Sequence, residues 1–224
     1  MKTKVIMVRH GETEWNVLCK FLGSVDMPLN EKGRRQAGYA KEALKDELID
    51  VAYSSPMKRA YETGEIILTG RDMKITTDEG LREIGCGKWE GLNGDEVEKL
   101  YPGQIYLWGN RPEECRIEEG DTFQEVSDRI VDAFWRIVNA NRGKTILITS
   151  HMLCLTLLMI YFQGKRINEM WDVKPIGNAA LNIVEVSEDD RVEIKSWSDD
   201  SFVPEEDKKG SVLVAGRDNV EKER

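Results

Sequence analysis

The 224-residue chain predicts an α/β fold, a three-layer sandwich whose mostly parallel central sheet is flanked by helices. Two observations predict it. Residues 4–8 and 145–149 are short, unbroken aliphatic and β-branched runs, which suit strands buried on both faces, as in a parallel sheet. Between such runs lie segments with apolar residues at helical spacing, and strands alternating with helices stack as layers.

The elements follow in order. The run 4–8 is too short and too unbroken for an amphipathic helix and is read as the first strand. Asn30 offers a side-chain oxygen to cap a helix whose Ala37, Ala40, Leu44 and Leu48 share one face. Residues 51–54 make a weaker strand. Ser55 then supplies a cap, and Pro56 a first-turn proline, for a helix running to about Leu68. A short strand at 74–77 precedes Glu83. Residues 85–120, rich in Gly, Trp and charge, predict a long irregular excursion. Long loops in compact domains often cover a substrate, so this stretch is a candidate lid.

Asp121 starts the helix with the clearest period, with Phe123, Val126, Ile130, Ala133 or Phe134 and Ile137 on one face. The strand 145–149 leads into Met152–Phe162, apolar all round and therefore a buried helix. Leu181–Val186 is a further strand, and 191–197 alternates like a half-exposed edge strand. From residue 199 to 224, eight acidic and five basic residues surround one apolar island at 211–215. That composition predicts a solvated tail or a loosely docked arm. The expected organisation is one domain over 1–198 and a polar C-terminal tail over 199–224.

Lys and Arg number 32 and Asp and Glu 41, for a formal charge of −9. An acidic surface repels phosphate polymers, which argues against nucleic acid or an anionic membrane as the main partner. The longest nearly apolar run, 152–162, is about half the ~20 residues that a membrane span needs. The apolar start is cut short by Arg9, unlike a signal peptide. Cys19, Cys86, Cys115 and Cys154 form no Cys-x-x-Cys pair, so they are expected to be free thiols in a reducing cytoplasm. No metal-ligand cluster is visible in the sequence, and neither a metal nor a cofactor is expected.

The chain has 2 histidines, His10 and His151, so any histidine chemistry uses one or both. Arg9-His10-Gly11 stands where the first strand ends, and α/β sheets bind ligands beyond the carboxyl ends of their strands. Alone, this triplet fits a loop histidine bonded to a backbone carbonyl better than it fits an anion site. His151 also directly follows a predicted strand, and it precedes a helix whose first N–H groups are unpaired, itself an anion site. Arg59 lies in the first turn of the helix after strand 51–54 and reaches the same edge. A surface helix arginine is common, but a guanidinium matches phosphate oxygens as lysine does not. Two arginines, two histidines and a helix start together describe a pocket for a dianionic phosphoryl group. Such a pocket needs an acid for the leaving group. Glu83 heads the irregular excursion, though spacing does not distinguish it from other glutamates.

The run from Met7 to Asn16, containing Arg9-His10-Gly11-Glu12-Thr13, resembles the signature of the histidine phosphatase superfamily in its phosphoglycerate mutase-like branch. The likeness continues through 29–37, 54–60 and Leu81-Arg82-Glu83-Ile84 with Trp89-Glu90-Gly91, then Thr149-Ser150-His151. These stretches keep their order over about residues 4–186. The resemblance implies a covalent mechanism on a small-molecule phosphate ester, without a metal. His10 would be the nucleophile and Glu83 the proton donor. His151, Arg9 and Arg59 would grip the phosphoryl oxygens, with Asn16 and the Gly23 backbone completing the cradle. Met152 stands where many relatives carry glycine, and its backbone N–H can still donate. His10 must be neutral to attack while a protonated His151 would bind charge, so their pKa values are expected to be pushed apart.

Phosphoglycerate mutases of this branch resemble one another in a tyrosine shortly after the acid and a long basic insertion. Here Cys86 is the third residue after Glu83, and the stretch to His151 leaves little room for that insertion. The motifs look more like phosphatase relatives, including the α-ribazole phosphatases. A mutase, or a catalytically silent phospholigand-binding module, is the alternative. Trp89, Tyr101, Tyr106, Trp108 and Arg111 either stack on a substrate ring or pack the lid, and Arg82 and Arg111 either meet a second anionic group or face solvent.

Overall fold

The computed structural model describes residues 1–208. In chain order the elements are β1 (Thr3–Arg9), α1 (Glu14–Val17), α2 (Glu31–Ala43), β2 (Val51–Ser54), α3 (Lys58–Leu68) and β3 (Ile75–Thr77). There follow α4 (Gly94–Leu100), α5 (Gln104–Asn110), α6 (Phe123–Ala140), β4 (Thr145–Ser150) and α7 (Met152–Phe162). The described chain finishes with β5 (Leu181–Val186), β6 (Val192–Asp199) and α8 (Glu205–Lys208). The six strands form one sheet in the order β3-β2-β4-β1-β5-β6. The first four neighbours run parallel, while β5 and β6 turn antiparallel at one edge.

Successive residues of β1 point to opposite faces of the sheet. Val5 and Met7 join Ile146 and Ile148 beneath the apolar faces of α6 and α7. Ile6 and Val8 join Leu147 beneath Ala40 and Leu44 of the α2 layer and Ile67 and Leu68 of α3. These are the three layers expected, and the unbroken aliphatic character of β1 and β4 follows from burial on both sides. The register matters most for the site. Arg9 pairs with Ser150, so β1 and β4 end level and release His10 and His151 side by side.

Helix boundaries differ from expectation in instructive ways. Asn30 caps α2 as predicted, accepting the Gly33 N–H at 2.7 Å. The helix ends at Ala43, one turn early, and Leu48 is 83% exposed rather than on the apolar face. Helix α3 begins at Lys58, with Met57 rather than Ser55 at the cap. The Ser55 hydroxyl lies 2.8 Å from His151 Nε2, and Asp26 accepts the Lys58 N–H at 2.7 Å. Helix α6 starts after Thr122, which forms a capping box with Glu125, while Asp121 accepts the Gly85 N–H at 2.8 Å.

Residues 85–120 are more regular than their composition predicts. They carry α4 and α5 as well as short 3₁₀ turns, and they send Trp89, Val97, Ile105 and Trp108 into the core beside α6. At the other end, 199–208 is a docked arm. The Asp207 carboxylate accepts from Arg35 at 2.7 Å and from the Tyr39 hydroxyl at 3.1 Å, and its carbonyl accepts from Gln36 at 2.7 Å. The island 211–215 and the rest of the predicted tail lie outside the described residues. Among the described residues, no helix is long and apolar enough to cross a membrane.

Candidate active site

The end of β1 presents His10 in a defined tautomer. Its Nδ1 lies 2.7 Å from the Gly11 carbonyl oxygen, which only accepts, so Nδ1 carries the hydrogen and Nε2 keeps a lone pair. Asn178 donates to the His10 carbonyl at 3.0 Å and steadies the strand end. Glycine at position 11 is required by close packing, because a Cβ there would meet the Gly33 oxygen at 2.3 Å. His151 is the cap residue of α7. Its ring stands edge-on to that of His10, with centroids 5.2 Å apart. One nitrogen, Nε2, meets Ser55, while the buried Nδ1 has no hydrogen-bond partner among the described residues.

Two guanidiniums close the base. Arg9 donates to the Ile176 carbonyl at 2.7 Å. Arg59, in the first turn of α3, donates to the Val25 and Gly23 carbonyls at 2.8 and 3.0 Å. Both side chains are buried, and the Nε of each has no acceptor among the described residues. Burial pushes each guanidinium down to about 10, which still leaves it charged at neutral pH. Glu83 acts on both through space, but two buried cations remain costly unless an anion meets them.

Burial, helped by Arg59, pushes both His10 and His151 well below the usual histidine value. The surroundings thus shift both rings in the same direction rather than lowering one and raising the other. The protein's own groups drive both rings to the neutral form, and only added negative charge beside one of them, such as a phosphoryl dianion, would raise it.

Glu83 is half-buried beyond β3. Its carboxylate accepts from its neighbour Ile84 N–H at 3.1 Å and from the Leu153 N–H of α7 at 3.5 Å. Asn16 spends its side-chain oxygen on the Thr13 N–H at 3.0 Å, leaving its NH₂ group for the pocket. Gly23 has φ +51°, and a Cβ there would meet Glu90 at 2.3 Å and the Cys86 nitrogen at 2.5 Å. Arg9, His10, Asn16, Gly23, Arg59, Glu83 and Met152 all line one cavity of about 60 Å³. His151, its ring 5.2 Å from that of His10, is not among the lining residues.

The cavity's outer wall was largely hidden in the sequence. Lys20, Phe21, Leu22, Ile84 and Leu153 line it, along with Cys86 and Trp108. Lys20 sits after the four-residue α1 and the left-handed Cys19, where no periodic signal exists. The one available clue was its position between Asn16 and Gly23. Arg82 and Arg111 pair with Glu79 and Glu114 and do not line the cavity. Trp89 packs in the core against Phe21 and Trp108, and Tyr106 is exposed. Burial raises the Cys86 and Cys154 thiols well above their usual value, so they stay neutral. Among the described residues, no three His, Cys, Asp or Glu side chains are grouped to hold a metal ion.

Comparison with known proteins agrees with this geometry. A phosphoserine phosphatase 1 of Hydrogenobacter thermophilus is 28% identical over 86% of the chain and 90% of its own length. An uncharacterised phosphatase, PhoE, of Bacillus subtilis is 33% identical over 84% of the chain and 90% of its own length. Among solved structures, YhfR of Bacillus stearothermophilus superposes with a TM-score of 0.87 at 33% identity, covering 90% of this chain and 100% of that one. Residues 5–200 match the histidine phosphatase superfamily, branch 1. With its two imidazoles and two guanidiniums gathered at the ends of a mostly parallel sheet, the chain belongs to that superfamily and is a histidine phosphatase.

Proposed function

We propose that the protein hydrolyses small phosphate monoesters, without a metal, through a phosphohistidine on His10. One observation carries this reading. The Nδ1–H bond to Gly11 leaves the Nε2 lone pair free in a cavity floored by two buried guanidiniums. Nε2 attacks phosphorus as the P–O bond to the leaving group breaks, and Arg9, Arg59 and Asn16 meet the charge spread over the equatorial oxygens. The backbone N–H groups at Gly23 and Met152 add to this cradle, and His151, its ring centroid 5.2 Å from that of His10, supplies positive charge from beside it once the bound dianion has raised its pKa. Glu83 in its acid form gives its proton to the departing oxygen. Its carboxylate then takes a proton from water, whose oxygen attacks phosphorus, breaks the P–N bond and frees phosphate.

Lys20 also lines the cavity, its ammonium 5.9 Å from the centroid of the Trp15 ring. That suits an ester carrying a carboxylate, so phosphoserine and 3-phosphoglycerate head the substrate panel. The test is to trap an acid-labile, alkali-stable phosphoenzyme and to follow phosphate release in EDTA. Turnover should persist in EDTA and vanish in His10→Ala. Interconversion of 2- and 3-phosphoglycerate outrunning phosphate release would replace this reading with a mutase.

A further inference from the structure

We propose that Arg129, on α6, is a positioning residue for proton transfer, holding in place the backbone that carries Glu83. This rests on the reading of Glu83 as proton donor. Residues 82–85 belong to no helix or strand, so regular structure does not hold the carboxyl at the cavity. Arg129 supplies what is missing. One terminal nitrogen donates to the Arg82 carbonyl at 2.8 Å and to the Glu79 and Gly80 carbonyls at 3.3 Å. The other donates to the Glu83 carbonyl at 3.4 Å and lies 3.7 Å from Asp121. Asp121 in turn accepts the Gly85 N–H at 2.8 Å. A single guanidinium thus ties down the chain on both sides of Glu83.

From the opposite side, Ser150 donates to the Leu81 carbonyl at 2.8 Å and the Cys154 thiol to the Arg82 carbonyl at 2.6 Å. The segment is clamped between α6 and the β4–α7 junction that delivers His151. Arg129 does not line the cavity, so it touches no substrate, and its charge, which also helps lower the His151 pKa, is kept in a lysine variant. Its planar fork spreads donors over two terminal nitrogens held in one plane, whereas a lysine offers its three donors from a single nitrogen.

The chemistry provides a readout that a purely structural role would not move. For a phosphoenzyme, kcat/KM covers the steps through P–O cleavage, when the leaving oxygen takes the Glu83 proton. An alkoxide leaving from phosphoserine needs that proton, whereas p-nitrophenolate does not. In Arg129→Lys, kcat/KM for phosphoserine, or for whichever alkyl ester of the panel is turned over best, should fall ~10–100-fold, within the range of general acid catalysis and of small misplacements. The value for p-nitrophenyl phosphate should change less than about threefold, as expected of a leaving group that needs little acid assistance. Arg129→Met should show the same selectivity more strongly, and if it does not fold the lysine variant decides alone. Equal losses on both esters, or no loss on either, overturn the proposal. Glu83→Gln is the reference. If it discriminates between the esters and Arg129→Lys does not, only the role of Arg129 falls. If Glu83→Gln fails to discriminate, the reading of Glu83 falls and takes this proposal with it.

Discussion

At the residue scale, His10 and His151 share one electrostatic fate. Burial and Arg59 hold both below the usual 6.5, so the folded protein binds fewer protons there than the unfolded chain. Stability is then fully present above pH 6.5 and declines as pH falls below it, by up to ~1.4 kcal/mol per pH unit for each histidine. Urea unfolding at pH 7.5 and 5.5 should show that loss, and it should shrink in His151→Gln. An NMR titration of the protein without phosphate should find both ring signals unmoved between pH 8 and 6.5. A midpoint near 6.5 for either ring would contradict the burial argument. Gly23→Ala tests a different constraint. It would force a Cβ onto the Cys86 nitrogen from a left-handed backbone, and phosphate turnover should fall while the cooperative melt is retained.

At the element scale, stability follows the caps. Thr122→Ala removes the box that opens α6 and should cost about 1 kcal/mol in denaturant unfolding. Leu48→Ser, at a position 83% exposed, should stay within about 0.5 kcal/mol of the parent. These cases also show why some elements were legible. Strands β1 and β4 announce themselves because burial on both faces demands an unbroken aliphatic run, and α6 because 18 residues sustain a full apolar stripe. Helices α4 and α5 have 7 residues each, under two turns, too few for a period to emerge. Ser55 looked like a cap because cap residues and pocket residues share the same chemistry. Its hydroxyl is drawn to His151 instead.

At the scale of the whole molecule, the site is assembled from chain ends that meet only after folding. The histidines and arginines were legible because each follows a strand or opens a helix. Lys20 and Phe21 were not, because they lie in irregular chain after α1 and reach the cavity through tertiary packing alone. The C-terminal arm belongs to the same account. Gln36 accepts the Glu12 N–H at 2.8 Å and donates to the Asp207 carbonyl, which links the arm to the loop beside His10. Truncation after residue 199 should lower the melting temperature by several degrees, in keeping with a loss of one or two kcal/mol. Trp108 faces the cavity and also packs among Phe21, Trp89, Phe123 and Trp171. Trimming this indole to admit bulkier esters would hollow the interior beneath the mouth, so evolving new tastes along that wall sacrifices heat resistance. Broader tolerance is better sought at Met152, a half-buried residue lining the same cavity.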